Sequence, residues 1–283
     1  MTLTVTRAGA LSTCQDLGRI GHAHLGVPRA GALDQPAAAL ANRLVGNPRE
    51  AAVIETTLDG VALHTSADHW FAVTGAPCPV TVAGRAVAHG EPVFAPAGSE
   101  VVVGAALRGV RSYLAVAGGV AVAPVLGSRS TDTLAWVGPP RLVVGMELAV
   151  GTPSGEIRPL DVPPPVRGRA LRVIAGPRLD WFAPEAWRTL CTATWRAGAE
   201  SNRIGLRLGG PALERSRTGE LASEPMVLGA VQVPPSGQPV VFLADHPVTG
   251  GYPVIAVVLA DDLHHCAQAR PGDEVTFTPA PRG

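Results

Sequence analysis

Pro or Gly interrupts the chain every few residues, and an apolar face seldom persists beyond one helical turn. Many short strands joined by turns write this pattern, so an all-β fold is expected. Candidate strands are Trp70 to Thr74, Glu100 to Val103, Ser112 to Val116, Leu171 to Ala175, Pro239 to Ala244 and Glu274 to Thr278. One stretch differs. Asp34 is a capping residue, Gln35 and Pro36 suit a first turn, and Leu40, Ala41, Leu44 and Val45 share one helical face until Gly46 stops it. Shorter helices are expected from Pro184 to Leu190 and from Asp262 to Ala267. The segment Pro159 to Arg169, PLDVPPPVRGR, is stiff, polar and poor in strand formers, and reads as a linker. It divides the chain into an amino-terminal domain over 1–158 and a carboxy-terminal domain over 170–283, each of ordinary domain size.

The two halves share a phrase. Arg19-Ile20-Gly21 in GRIGHAHLGV returns as Arg203-Ile204-Gly205 in NRIGLRLGGP, each followed by Gly five positions on. Further along, Glu55 precedes Gly60 by five residues, as Glu224 precedes Gly229. Order and spacing agree, apart from extra length in the first half that the Asp34 to Gly46 helix accounts for. A duplicated barrel with a helix inserted in one copy explains this most simply, with a ligand cleft expected between the copies.

Composition adds exclusions. Hydrophobic residues make up 46% of the 283 positions and charged ones 16%, enough apolar material for two cores. The longest apolar run, Val254 to Ala260, is too short to span a bilayer, and the amino terminus lacks the order of a signal peptide, so a soluble cytoplasmic protein is expected. With 23 basic and 23 acidic residues there is no long-range field to gather nucleic acid or an acidic membrane. All the basic residues are Arg. A Walker-type phosphate loop, Schiff-base chemistry and a biotin or lipoyl attachment each need a Lys, so this chain does none of them alone. The same depletion also fits codon bias in a GC-rich genome. Cys14, Cys78, Cys191 and Cys266 are far apart and are expected as free buried thiols. The pairs His22, His24 and His264, His265 lack acidic or thiol ligands at binding spacing, so no metal site is expected.

Candidate chemistry gathers around turns. Arg19, Arg203 and Arg207 lie in Gly-containing segments where a guanidinium can meet a carboxylate, a carbamoyl oxygen or a phosphate; each can equally tie down its own loop. Glu55 in IETTL and Glu224 in ASEPMVL have apolar surroundings that suit proton transfer or, alternatively, a structural pair with Arg. ADHPVTGGYP, Ala244 to Pro253, sets Asp245 at a strand end, then Thr249, Gly250, Gly251 and Tyr252. Its glycines allow backbone amides to approach an anion, or simply make a tight loop. Ser128 and Ser130 in GSRSTD have no His beside them and no nucleophile elbow appears, so covalent catalysis is unsupported. Ser201, Asn202 and Arg207 flank Arg203, which is therefore expected to carry function with little effect on melting temperature. Arg19 is expected to pair with Asp16 or Asp34 and fix its loop.

Several blocks together resemble a known family: TCQDLGRIGHAHLGVPRAGALD, ANRLVGN followed by Glu55-Thr56-Thr57, YLAVAGGVAVAPVLGSRSTD, ESNRIGLRLGGPAL, GAVQVPPSGQPVVFLAD, TGGYPVIAVV and AQARPGDEVTF. The chain is similar, from about Leu3 to Phe277, to the KipA-like proteins, also called allophanate hydrolase subunit 2 or biotin-dependent carboxyltransferase-like proteins. It departs from them at Pro247-Val248, where members commonly have Gln-Thr, and in TLAWVGPPRL after Asp132. The resemblance implies a pair of cyclophilin-like β-barrels. It also implies one component of an ATP-dependent 5-oxoprolinase, with ATP bound by the complex, a KipI-like partner, a LamB/YcsF-like partner that completes hydrolysis, and a small lactam or amide substrate. The alternatives it leaves are a carboxyltransferase component acting on urea or another amide with biotin carried on a partner, and a regulatory protein that binds a KipI-like partner. The substrate-binding candidates are then Ser201, Asn202, Arg203, Arg207, Glu224, Gln232, Asp245, Thr249, Gly250, Gly251 and Tyr252. Asp16, Arg19, Asp34 and Glu55 join them from the first half. Among these, Asn202, Arg203 and the Gly250-Gly251 amides are the expected donors to developing negative charge. No residue is assigned a catalytic role.

Overall fold

Strand Arg111–Val116 is buried at all six positions, which requires cover on both faces. Alternation along a strand sends successive side chains to opposite sides. Leu114 and Val116 face one cluster together with Ile54, Phe71 and Val73, while Tyr113 and Ala115 face another with Val53 and Ala72. The computed structural model of the chain, which describes residues 1–159, 170–219 and 221–281, shows what covers each face.

The described residues divide into two compact units. The first takes Met1–Ile20, Ala30–Asp132 and 136–159; the second takes Gly21–Arg29, Thr133–Ala135, 170–219 and 221–281. The expected linker over Pro159 to Arg169 lies, beyond its first residue, outside the described residues.

In the first unit a five-stranded antiparallel sheet runs Leu11–Gln15, Val53–Thr57, Arg111–Val116, His69–Gly75, Pro92–Ala95. A six-stranded sheet runs Glu147–Ala149, Thr2–Arg7, Val61–Thr65, Glu100–Val103, Val80–Val82, Arg85–Val87. Their facing sides share Leu3, Val5, Val61, Leu63, Val101 and Val103 with the Leu114 face of the other sheet. Each fully buried aliphatic side chain here contributes about 1.5–3 kcal/mol. The opposite face of the five-stranded sheet is covered by helix α1 (Gln35–Leu44) through Ala38, Ala41, Leu44 and Val45. Asp34 caps the helix as its sequence predicts, its carboxylate accepting from the Ala37 N–H at 3.0 Å.

The second unit closes as a seven-stranded barrel in the order Ala170–Ala175, Val254–Val258, Ala230–Gln232, Val240–Phe242, Gly205–Gly209, Trp195–Ala197, Glu274–Pro279. Closure comes from a parallel pairing of Ala170–Ala175 with Glu274–Pro279. Trp195 is fully buried, meets Phe277 edge-on at 6.4 Å, and donates from Nε1 to the Leu190 carbonyl at 3.1 Å. The all-β class with a few short helices therefore holds, the barrel belonging to the second unit and the paired sheets to the first. Two expected elements shift by two residues at an end. The helix expected from Pro184 to Leu190 is α2 (Ala186–Thr192). The strand expected to reach Ala244 stops at Phe242, where Asp245 N–H turns to the Arg203 carbonyl and His246 N–H to that of Leu243.

One pair of the repeated marks, the glycines, holds like places. Gly60 and Gly229 both have left-handed backbone, with φ of 77° and 84°, immediately before strands Val61–Thr65 and Ala230–Gln232. A Cβ at Gly60 would run into the Val103 carbonyl, and one at Gly229 would lie 2.8 Å from the Val258 carbonyl oxygen. Both positions need glycine for conformation and for space.

Candidate active site

On the second unit a two-stranded ribbon pairs Glu224–Pro225 with Thr249–Gly250. Glu224 is half-buried, and its Oε2 accepts from Arg178 Nε at 2.8 Å and Nη2 at 2.6 Å. Glu224 is thus held by a forked ion pair, the structural alternative to proton transfer. Gln232 is buried beneath the ribbon and donates from Nε2 to the Tyr252 carbonyl at 3.1 Å. A Cβ on Gly250 would sit 2.8 Å from Gln232 Nε2 and 3.2 Å from Met226 Cγ, so a side chain there would displace the Gln232 amide. Beside the ribbon Tyr252 is 42% exposed, and the Arg215 guanidinium lies 5.7 Å from its ring centroid. The fold therefore brings together Glu224, Gln232, Thr249, Gly250, Gly251 and Tyr252. It adds Arg178 and Arg215, which no local pattern marked because both come from distant segments.

The other predicted group divides. Arg203 and Asp245 are 1% and 0% exposed at their side chains and form a forked pair, Nε to Oδ2 at 2.8 Å and Nη2 to Oδ1 at 3.0 Å. Asp245 Oδ2 also accepts from Thr133, N–H at 2.9 Å and Oγ1 at 2.7 Å. The fork of Arg203, expected as a donor to developing negative charge, is committed to a buried carboxylate. Asn202 is spent on its own turn, Oδ1 accepting from Ile204 and Gly205 N–H at 2.8 and 3.2 Å. Ser201 likewise bonds the Arg207 backbone, its Oγ accepting from N–H at 3.1 Å, while the Arg207 side chain is exposed. Next to Asp245, His246 stacks on Phe242 with ring centroids 5.6 Å apart and planes 5° apart. Its Nδ1 donates to the Pro247 carbonyl at 2.7 Å, which leaves Nε2 as the acceptor. Burial pushes its pKa down, the Pro247 carbonyl and Asp245 oppose this, and Arg29 adds to it, the net direction favouring the neutral ring.

In the first unit the segments TCQDLGRIG and GSRSTD meet. Asp16 Oδ1 accepts from Gly18 N–H at 2.8 Å, Ser128 Oγ at 2.6 Å and Ser130 Oγ at 2.5 Å, and Oδ2 accepts from Arg129 N–H at 2.6 Å. Burial raises the Asp16 pKa, but the four donors outweigh it and hold the carboxyl below its ordinary value. Arg19, buried, donates to the carbonyls of Val125 and Ser130. These contacts tie the loop down through backbone carbonyls. Glu55 is buried, accepts from Leu33 N–H at 3.0 Å and lies 3.6 Å from Arg111. The Tyr113 hydroxyl accepts from Asp34 N–H at 2.8 Å. Glu55 and Tyr113, neighbours across two strands, thereby moor the start of α1 to the sheet.

All four cysteines are free, and burial pushes the Cys14 and Cys266 thiols up to about 12, so neither is a ready nucleophile. Among the described residues no three His, Cys, Asp or Glu side chains gather to hold a metal ion. No helix among them is long and apolar enough to cross a membrane.

Comparison with known proteins identifies the family. The profile described as carboxyltransferase domain, subdomain A and B, matches residues 25–279. This chain belongs to the carboxyltransferase domain family. The carboxyltransferase-domain chain is 38% identical over 279 residues to the C subunit of 5-oxoprolinase from Escherichia coli (strain K12), a match that covers 97% of this chain and 90% of that one. It also matches the crystal structure of TTHA0988 at 39% identity with a TM-score of 0.88, over 98% of this chain and 55% of that one. The crystal structure of K. lactis urea amidolyase matches at 29% identity with a TM-score of 0.93, over 99% of this chain and 19% of that one. The same carboxyltransferase domain thus occurs at near its present length and also as a fraction of much longer chains.

Proposed function

We propose that this chain is one component of an ATP-dependent 5-oxoprolinase, which converts 5-oxo-L-proline to L-glutamate. The observation that carries this reading is the match to the Escherichia coli 5-oxoprolinase component along nearly the whole of both chains. On this reading a KipI-like protein and a LamB/YcsF-like protein complete the enzyme, which works in the cytoplasm. The complex binds ATP. A chain with no Lys has no phosphate-binding ammonium of the Walker kind to offer. The part proposed for this chain is to hold the lactam against the Glu224–Tyr252 ribbon while a partner supplies the activated phosphoryl group. Lactam opening develops negative charge on the carbonyl oxygen, and fixed N–H donors stabilise such charge most when water is excluded.

The test is reconstitution. Co-expression with KipI-like and LamB/YcsF-like chains is expected to give a complex that survives size exclusion and releases glutamate only when ATP and all components are present. Release of glutamate by the isolated chain would refute its dependence on partners. No release by the complete set would refute the oxoprolinase reading. A second reading has its own support in the K. lactis urea amidolyase match: transfer of a carboxyl group from biotin on a partner to urea or a related amide. Urea-dependent discharge of carboxybiotin by this chain, with no glutamate formed by the reconstituted set, would favour it.

A further inference from the structure

Arg215 differs from the other arginines around the ribbon. Among the described residues Arg178 holds Glu224, Arg217 holds Asp180 and Arg203 holds Asp245, while Arg215 enters no ion pair. Its backbone bridges to Phe182, its Nη2 donates to the Val233 carbonyl, and its Nε is buried with no acceptor. One backbone carbonyl answers one of the five N–H donors of a guanidinium and none of its charge. Burial accordingly pushes the Arg215 pKa below its ordinary value, against the opposing influence of Tyr252. The cation is half-buried and, among the described residues, has no counter-charge. Beside it the exposed Tyr252 ring offers an apolar wall, and the carbonyl of Tyr252 is tied down by Gln232.

A guanidinium fork, an aromatic wall and a missing anion together describe a receptor for a small carboxylic acid. We propose that Arg215 and Tyr252 form a carboxylate-binding subsite, in which the ligand's carboxylate takes N–H donors at the Nη ends of Arg215 and its apolar body lies against the Tyr252 ring. The proposal rests on the oxoprolinase reading for the identity of its ligand, since 5-oxoproline carries a carboxylate and urea does not.

The experiment measures binding to the full chain by titration calorimetry, with 5-oxo-L-proline, acetate and the neutral lactam 2-pyrrolidinone as probes. Wild type is expected to bind 5-oxo-L-proline at least tenfold more tightly than 2-pyrrolidinone. Arg215→Gln is expected to remove that difference, and Arg215→Lys to restore part of it. In the reconstituted enzyme Arg215→Gln should raise KM for 5-oxoproline at least tenfold with a smaller change in kcat. Equal binding of 5-oxoproline by wild type and Arg215→Gln overturns the subsite, as does no preference for the carboxylate in wild type. If Arg215→Gln does not fold, the preference of wild type and its change in Arg215→Lys decide alone. Acetate separates the two readings. Arg215-dependent binding of acetate in a chain whose complex has no oxoprolinase activity leaves the subsite standing and removes the functional assignment. Full activity with KM unchanged in Arg215→Gln does the reverse.

Discussion

Truncating Arg203 to Ala should unfold the second unit more readily before it alters any chemistry. The guanidinium and the Asp245 carboxylate are essentially sealed from water and share two hydrogen bonds of 2.8 and 3.0 Å. Removing the cation leaves a carboxylate that Thr133 alone among the pairings described above still serves, through two donors on a single oxygen. Breaking a buried pair on one side costs about 3–5 kcal/mol, because the remaining charge is stranded. At about 2–4 °C per kcal/mol for a domain of this order, the melting temperature should fall by about 6–20 °C. Calorimetric or circular-dichroism melts of Arg203→Ala, Asp245→Leu and the double variant measure this directly. The double variant should recover much of the loss, since it strands neither charge. An Arg203→Ala protein that melts within about 2 °C of wild type would refute the reasoning, and the buried fork would then contribute no net stability.

Three smaller tests follow from the first unit. Asp16 has a folded pKa below its unfolded value near ~3.9, so its contribution is complete above that value and is lost as pH falls through the folded one. The gap in urea midpoint between wild type and Asp16→Asn should therefore be wide at neutral pH and close in strong acid; a gap that widens on acidification refutes the assignment. Asp34→Ala should cost about 0.5–2 kcal/mol in urea melts by removing the cap on Ala37 N–H, with no change in the pH dependence of Asp16. Gly60→Ala should destabilise far more than Gly84→Ala. Both glycines have left-handed backbone, but a Cβ at Gly84 meets nothing within 4 Å, leaving only a conformational cost of about 1 kcal/mol.

Local chemistry was readable and distant pairing was not. The helix could be found because Asp34, Pro36 and the spacing of Ala41 and Leu44 act within a few residues of one another. Strands such as Glu100–Val103 showed through their β-branched runs. The hairpin Val80–Val82 to Arg85–Val87 was too short to register, although its Ala83-Gly84 turn, with φ of 49° and 74°, is the kind two-residue hairpins favour. At the site, the Glu224 and Gly250 segments were each noticed, but their pairing with one another was invisible. The burial of Arg203 was not legible for one reason. Ser201, Asn202 and Arg207 lie close to it in sequence, whereas its fork is bound by Asp245, 42 residues away. Arg215 went unnoticed because its distinction, the lack of an acidic partner among the described residues, is a property of three dimensions only.

The makeup of the second unit bears on how a ribosome delivers it. Residues 21–29 and 133–135 belong to that unit although they are synthesised with the first. Thr133 must therefore wait for Asp245, made 112 residues later, before its hydrogen bonds can form. A fragment cut to residues 170–283 would lack both Thr133 donors to Asp245 Oδ2, keeping only Arg203 Nε on that oxygen, along with the whole 21–29 segment. Splitting this gene at the apparent linker, whether by a designer or by recombination, would sever a unit it was meant to isolate. Its two early segments would have to travel with the carboxy-terminal half.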